Sequence, residues 1–230
     1  MKISVIIPTL NEGARLAATL DQVRAVLPAA ELIVADGGSA DDTPAIARAA
    51  GALTVMAPRG RGPQLAAGAE AAHGHLLLFL HADTTLPADA AEVLDRAFAD
   101  RRTLIGTFRL GFDVGGRFLK TCAWFTRIDS VFTRFGDQGI AVRRDFYAQL
   151  GGFPAWPLFE DVELLRRARR ITRVASFPAS VITSARRFER RGHLRQQCRN
   201  GWLLCRFLTG ACPHRLAAEY AVETAVSISP

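Results

Sequence analysis

A chain of 230 residues has room for one large domain, or one domain with a modest extension. Hydrophobic residues make up 49% of it, which excludes bulk disorder and provides for a full core. The formal net charge of +7 suits phosphates, an anionic lipid surface or nucleic acid, and does not choose among them.

Lys2–Ile7 is apolar and β-rich, and Pro8 stops it. Leu16–Val26 carries leucine, valine and alanine at three- and four-residue spacings and reads as a helix. Leu32–Ala35 is a second short strand, ended by Asp36–Gly37–Gly38–Ser39. Asp41, Asp42, Thr43 and Pro44 then mark the start of a helix that runs through Ile46 to Ala50. Leu53–Met56 is a third strand. Gly60, Gly62 and Pro63 break the chain before an alanine-rich helix over Gln64–Ala72. Leu76–Leu80, uniformly apolar, is a strand expected to be covered on both faces.

The second half is less regular. Pro87–Phe98 reads as a helix, Thr107–Phe112 as a strand before a turn at Gly115–Gly116, and the aromatic-rich Phe118–Phe135 as helical. A short strand at Ile140–Arg143 and a helix end at Phe146–Leu150 precede Gly151–Gly152. A helix over Phe159–Ile171 is headed by Glu160 and Asp161, and Val174–Phe177 and Val181–Ile182 are two short strands. His193–Leu208 is a basic amphipathic helix, and eleven arginines fall between Arg166 and Arg199. Four cysteines stand at 122, 198, 205 and 212, the last three seven residues apart. That is no zinc spacing, so reduced, partly buried thiols are expected. The longest apolar run, Leu76–Leu80, falls far short of a membrane span, and the start of the chain has no leader pattern. The expected location is the cytoplasm, with peripheral contact at the inner face of the cell membrane left open.

Alternation of strand and helix with short connections predicts an α/β fold with a mostly parallel central sheet flanked by helices. Ligands of such sheets bind beyond the carboxyl ends of the strands. Three polar clusters fall there: Pro8–Glu12, Asp36–Ser39 and His81–Asp83.

On these clusters the sequence resembles the family 2 glycosyltransferases, inverting enzymes of the GT-A fold. Val5–Glu12 looks like their first strand and loop, and Leu32–Ser39 with Asp41, Asp42 and Thr43 like their second. Phe79–Leu80–His81–Ala82–Asp83 stands where they carry a metal-binding Asp-x-Asp, and Phe159–Glu160–Asp161 is similar to their late Glu-Asp element. The resemblance covers about residues 1–185, and Thr183–Gly192 is similar to a motif of a small bacterial subgroup with undefined acceptors. His81 replaces the first aspartate of the metal motif, and the Gln-x-x-Arg-Trp element of processive synthases is absent. The implied organisation is a transferase domain over 1–192, with a nucleotide-binding half to about 100 and an acceptor half after it, then a helical extension over 193–230.

The resemblance implies a nonprocessive transfer of a sugar from a nucleotide-diphosphate donor, a UDP-sugar being favoured, to a hydroxyl of a small molecule, lipid or glycan. Pro8, Thr9, Asn11, Glu12, Asp36, Arg61, Gln64, His81, Ala82 and Asp83 are the expected donor pocket. Asp36 is either a nucleobase contact or the acceptor of an Asx turn. Asp83, a hard oxygen ligand, is the candidate for a divalent manganese or magnesium ion, or else the cap of the next helix. Asp161 is the expected general base, against the alternative that it and Glu160 only offset a helix dipole. Arg61 lies in a glycine-bounded turn that is neither a P-loop nor a dinucleotide loop, and either pairs with phosphate or is a surface turn. Arg186, Arg187, Arg190 and Arg191 around Phe188 either hold an anionic substrate or form a solvated face. Asp137 and Gln138 are acceptor candidates, and Trp156 a stacking candidate. Two other readings compete: a nucleotidyltransferase on a related sheet, and a noncatalytic binder of anionic surfaces. No nucleic-acid-binding signature supports a nucleic-acid partner.

Overall fold

The strand that opens the chain, β1 (Ile3–Thr9), lies at the centre of the architecture. In this computed structural model, which describes residues 1–112, 124–125, 127–183 and 193–226, one eight-stranded sheet runs in the order β3-β2-β1-β4-β7-β6-β8-β5. The strands are β2 (Glu31–Asp36), β3 (Leu53–Met56), β4 (Leu76–Phe79), β5 (Thr84–Thr85), β6 (Ile105–Phe112), β7 (Ile140–Arg143) and β8 (Ala175–Thr183). β1 to β4 are mutually parallel, β7 runs antiparallel to both β4 and β6, and β8 lies parallel to β6.

The alternating side chains of the central strands explain why the sheet is covered twice. Val5, Ile7, Val34, Leu76 and Leu78 enter one core, while Ile6, Ile33, Leu77 and Phe79 enter the other. Each such burial contributes roughly 1.5–3 kcal/mol before entropy is counted. Helices α1 (Gly13–Val26), α2 (Thr43–Ala49), α3 (Arg61–Ala71) and α4 (Ala90–Ala99) connect the first strands. They are followed by α5 (Arg144–Gln149), α6 (Glu160–Arg169), α7 (His193–Leu208) and α8 (Pro213–Val226). A third apolar cluster joins Phe159 and Val162, at the start of α6, to Leu203 and Leu204 of α7 and Leu216 of α8.

Several expectations change. The expected break at Gly62 and Pro63 is the first turn of α3, which begins at Arg61. Proline is tolerated there because its missing N–H would find no partner in the helix. The two short strands after residue 173 are one, β8. A register shift opposite Thr107 and Arg109 accommodates the residues around Pro178, whose carbonyl accepts from Arg109 Nη1 at 3.1 Å. The helix expected over Phe118–Phe135 is not found over 127–135, which run as turns and bends, and its earlier part lies largely outside the described residues. Cys198, Cys205 and Cys212 are free and exposed rather than partly buried, while α7 buries Leu203 and Leu204 instead. Cys122, the turn at 115–116 and the arginines at 186, 187, 190 and 191 with Phe188 lie outside the described residues.

Candidate active site

The chain leaves β1 for β2 and β3 on one side, then returns to β4 on the other. The carboxyl ends of β1 and β4 therefore flank the crevice in which sheets of this kind bind ligands. The first polar cluster is fastened to the second. Asn11 adopts a left-handed conformation (φ 55°), its N–H donates to Ser39 Oγ at 2.8 Å, and its Oδ1 accepts from the Ala40 N–H at 2.8 Å. The N–H groups of Glu12 and Gly13 donate to Thr43 Oγ1 and Asp41 Oδ2 at 2.9 and 3.0 Å.

Asp36 is fully buried, and its carboxylate is occupied within its own turn. It accepts from the Gly38 and Ser39 N–H groups at 3.0 and 2.8 Å, and from the Ser39 and Thr9 hydroxyls at 2.5 and 3.2 Å. Burial opposes its ionisation, but these donors, Ser39 foremost, outweigh burial and hold the carboxyl below its ordinary range. The Asx-turn role is thus directly visible. Gln64 is likewise spent on structure, its amide donating to the Thr9 and Ala35 carbonyls at 2.6 and 2.9 Å. Pro8 is half-buried beside them.

Beyond β4, His81 and Asp83 are half-exposed and Ala82 is buried, its carbonyl accepting from Thr19 Oγ1 at 2.7 Å. Among the described residues, no hydrogen bond or ion pair engages the Asp83 carboxylate. Nor do three or more histidine, cysteine, aspartate or glutamate side chains gather there to hold a metal ion. A single open carboxylate fits a hard divalent ion that brings its other oxygen ligands with a diphosphate, rather than an ion caged by protein alone.

The second half closes on this edge through α6. Glu160 is 1% exposed, and its Oε1 lies 2.9 Å from Arg61 Nε at the start of α3. Burial pushes Glu160 up to about 7, against the pull of Arg61 and with the help of Asp161. Arg61 is raised in turn, chiefly by Glu160 and then by Asp161 and Asp137. Among the described residues no donor meets Glu160 Oε2. Asp161 is oriented by backbone donors: Oδ2 accepts from the Gly136 N–H at 2.6 Å and Oδ1 from the Val162 N–H at 2.8 Å. Asp137 and Gln138 share a single 3-10 turn with Gly136, and Gln138 is buried, donating to the Thr133 carbonyl at 2.7 Å. Thus the structure brings Asp161, Glu160, Arg61 and Asp137 into one electrostatic cluster.

Trp156 meets Phe207 of α7 edge-on at 5.9 Å, a packing role. A cavity of about 290 Å³ between α6 and the C-terminal helices is lined by Trp156, Glu163, Phe207 and Cys212, and no strand-end residue reaches it. Sequence reasoning missed Arg134, which is 1% exposed and donates through Nη1 to the carbonyls of Val174 and Ala175 at 3.1 and 2.7 Å. Its only signal was an arginine inside an aromatic stretch.

The family model described as Glycosyl transferase family 2 matches residues 4–149. No curated protein matches the chain. Among solved structures, Staphylococcus aureus TarS 1–349 is similar at a TM-score of 0.68 and 17% identity, over 80% of this chain and 61% of that one. Glucosyl-3-phosphoglycerate synthase from Mycobacterium tuberculosis, in complex with Mn2+, UDP and glucosyl-3-phosphoglycerate, gives 0.57 and 22%, over 80% and 70%. The mannosyltransferase PcManGT from Pyrobaculum calidifontis, in complex with GDP-Man and Mn2+, gives 0.60 and 19%, over 99% and 81%. The chain spans about three fifths of the TarS fragment's length. These likenesses establish the expected GT-A fold.

Proposed function

The chain belongs to glycosyl transferase family 2, and from that membership we propose that it is a nonprocessive glycosyltransferase. It moves a sugar from a nucleotide-diphosphate donor to a hydroxyl acceptor with inversion at the anomeric carbon. The observation that carries this reading is the meeting of the two halves. Arg61, from the donor-side helix α3, pairs with Glu160, and the next residue, Asp161, is aimed by the turn at Gly136.

In this mechanism Asp161 takes the proton of the acceptor hydroxyl as that oxygen bonds to the anomeric carbon, and the bond from that carbon to the diphosphate breaks on the opposite face. The N–H groups of Gly136 and Val162 hold the carboxylate in one orientation, leaving its remaining lone pairs for the proton. Arg61 supplies positive charge beside the departing diphosphate. Asp83 would hold a divalent ion, magnesium or manganese, which when bound supplies Lewis-acid stabilisation of the leaving group. Asn11, Glu12 and the Asp36 turn shape the nucleotide side of the crevice. The TarS, synthase and mannosyltransferase structures, described with UDP-GlcNAc, UDP and GDP-Man respectively, support a UDP- or GDP-sugar donor.

The test is calorimetric titration of UDP, GDP and dTDP, with and without Mn2+, into the wild type, Asp83→Ala and Asp161→Asn. Binding that needs both the ion and Asp83, and that survives in Asp161→Asn while transfer is lost, is the expected pattern. No nucleotide binding under any condition would overturn the reading.

A further inference from the structure

Large apolar side chains face solvent just before the turn at Gly136. Trp124 is 53% exposed, Phe125 46%, Ile128 46% and Phe132 57%. Four such side chains within nine residues form a patch, unlike the scattered single exposures of an ordinary surface. The patch is held in shape. Trp124 and Phe125 meet edge-on at 5.3 Å, and the N–H groups of Arg127 and Ile128 donate back to their carbonyls at 3.2 and 3.0 Å. Thr133 Oγ1 donates to the Ile128 carbonyl at 2.6 Å, and Val131 and Phe135 pack inward with Phe159 and Leu203.

Its charge is one-sided. Arg127 is exposed in the middle of the patch and makes no ion pair among the described residues. The neighbouring acid, Asp129, is engaged by Arg169 at 2.8 Å and by the buried Arg134 at 3.8 Å. An exposed cation within a run of exposed aromatic and aliphatic side chains, unpaired among the described residues, complements an anionic, partly apolar partner.

We propose that this surface docks the protein on an anionic membrane, with Trp124, Phe125, Ile128 and Phe132 entering the interface and Arg127 meeting acidic headgroups. Tryptophan and phenylalanine favour the boundary between headgroups and acyl chains, and each nearby cation adds attraction to acidic lipid. The chain's net charge of +7 acts in the same direction. A two-fold contact between copies through the patch centre would bring Arg127 against its own counterpart, so a second copy fits less well. Docking requires no turnover and does not rest on the transferase reading.

The experiment is co-sedimentation of the full chain with phosphatidylcholine vesicles, with and without phosphatidylglycerol. It includes the Trp124→Ser/Phe132→Ser double variant and Arg127→Glu, with thermal unfolding as the check on folding. The wild type should bind the phosphatidylglycerol vesicles. Each variant should bind about tenfold or more weakly with an unchanged unfolding midpoint. Failure to bind either vesicle, or equal binding by wild type and variants, would overturn the proposal. So would patch-dependent self-association in sedimentation velocity without vesicle binding.

Discussion

Arg61 Nε lies 2.9 Å from Glu160 Oε1, so the helix after the third strand is joined by an ion pair to the helix carrying the proposed base. Glu160 is nevertheless buried deeply enough for its carboxyl to be pushed up to about 7. Attraction to Arg61 therefore offsets only part of the desolvation.

The pH dependence of stability follows from that shift. Between 4.5, the ordinary value, and about 7, the folded protein keeps a proton on Glu160 that the unfolded chain has released. The contribution is fully present below the lower value and is lost as pH rises through the upper one, on the order of 3 kcal/mol in all. Glu160→Gln removes this slope. Urea unfolding of both proteins from mildly acidic to mildly alkaline pH should show the variant gaining on the wild type as pH rises. Parallel profiles would mean that Glu160 titrates normally.

Gly62 is required by crowding. A Cβ there would lie 2.2 Å from the Pro154 carbonyl oxygen and 2.6 Å from that of Trp156. Gly62→Ala must push the start of α3 away from the segment before α6 and lengthen the Arg61–Glu160 contact. A loss of about 1–3 kcal/mol is expected in chemical denaturation, together with weaker nucleotide binding. Full retention of both would show that the two segments part freely.

Arg134 replaces a piece of secondary structure with side-chain donors. Its guanidinium reaches the carbonyls of Val174 and Ala175, and Thr107 Oγ1 at 3.3 Å. Arg134→Ala leaves these acceptors to find other partners and should cost about 3–5 kcal/mol. Lysine, a point charge without the planar fork, should restore less than half of that. Complete rescue by Arg134→Lys would show that charge alone matters.

Phe207 links the C-terminal helices to the site. It stacks on Phe159 with ring centroids 4.9 Å apart, and Phe159 is the left-handed residue (φ 63°) that leads into Glu160 and Asp161. Phe207→Ala should cost about 2–4 kcal/mol and lower kcat more than it changes donor binding. An effect on neither would make residues 193–226 a separate appendage.

The central sheet was legible because β1, β2 and β4 are short apolar runs with abrupt polar ends, and a doubly covered strand needs just that. Glu160 and Asp161 at the head of a helix were legible for a similar local reason. What was not legible depends on pairing between distant segments. Nothing near Asp36 in sequence says that Thr9 will share its oxygens, nor does the alanine-rich run after Pro63 reveal that Gln64 bridges two strand ends. Arg134 was hidden because a buried arginine has no periodic signature and is recognised only by the carbonyls that surround it. The aromatic stretch around it suggested a helix by composition, whereas its described side chains divide between solvent, as at Trp124 and Phe132, and the third apolar cluster, as at Val131 and Phe135.

The bond from Gly136 to Asp161 bears on how this protein can diversify. The donor is a backbone amide, which every residue but proline supplies, so most substitutions in the preceding segment leave it in place. Gly136 itself is the exception, since a Cβ there would come within 3.0 Å of Asp161 Oδ2. Exposed side chains of that segment such as Ile128 and Phe132 can therefore be exchanged while the proposed base keeps its aim, whereas the buried Arg134 cannot. Drift on that surface is thereby separated from drift at the proposed base.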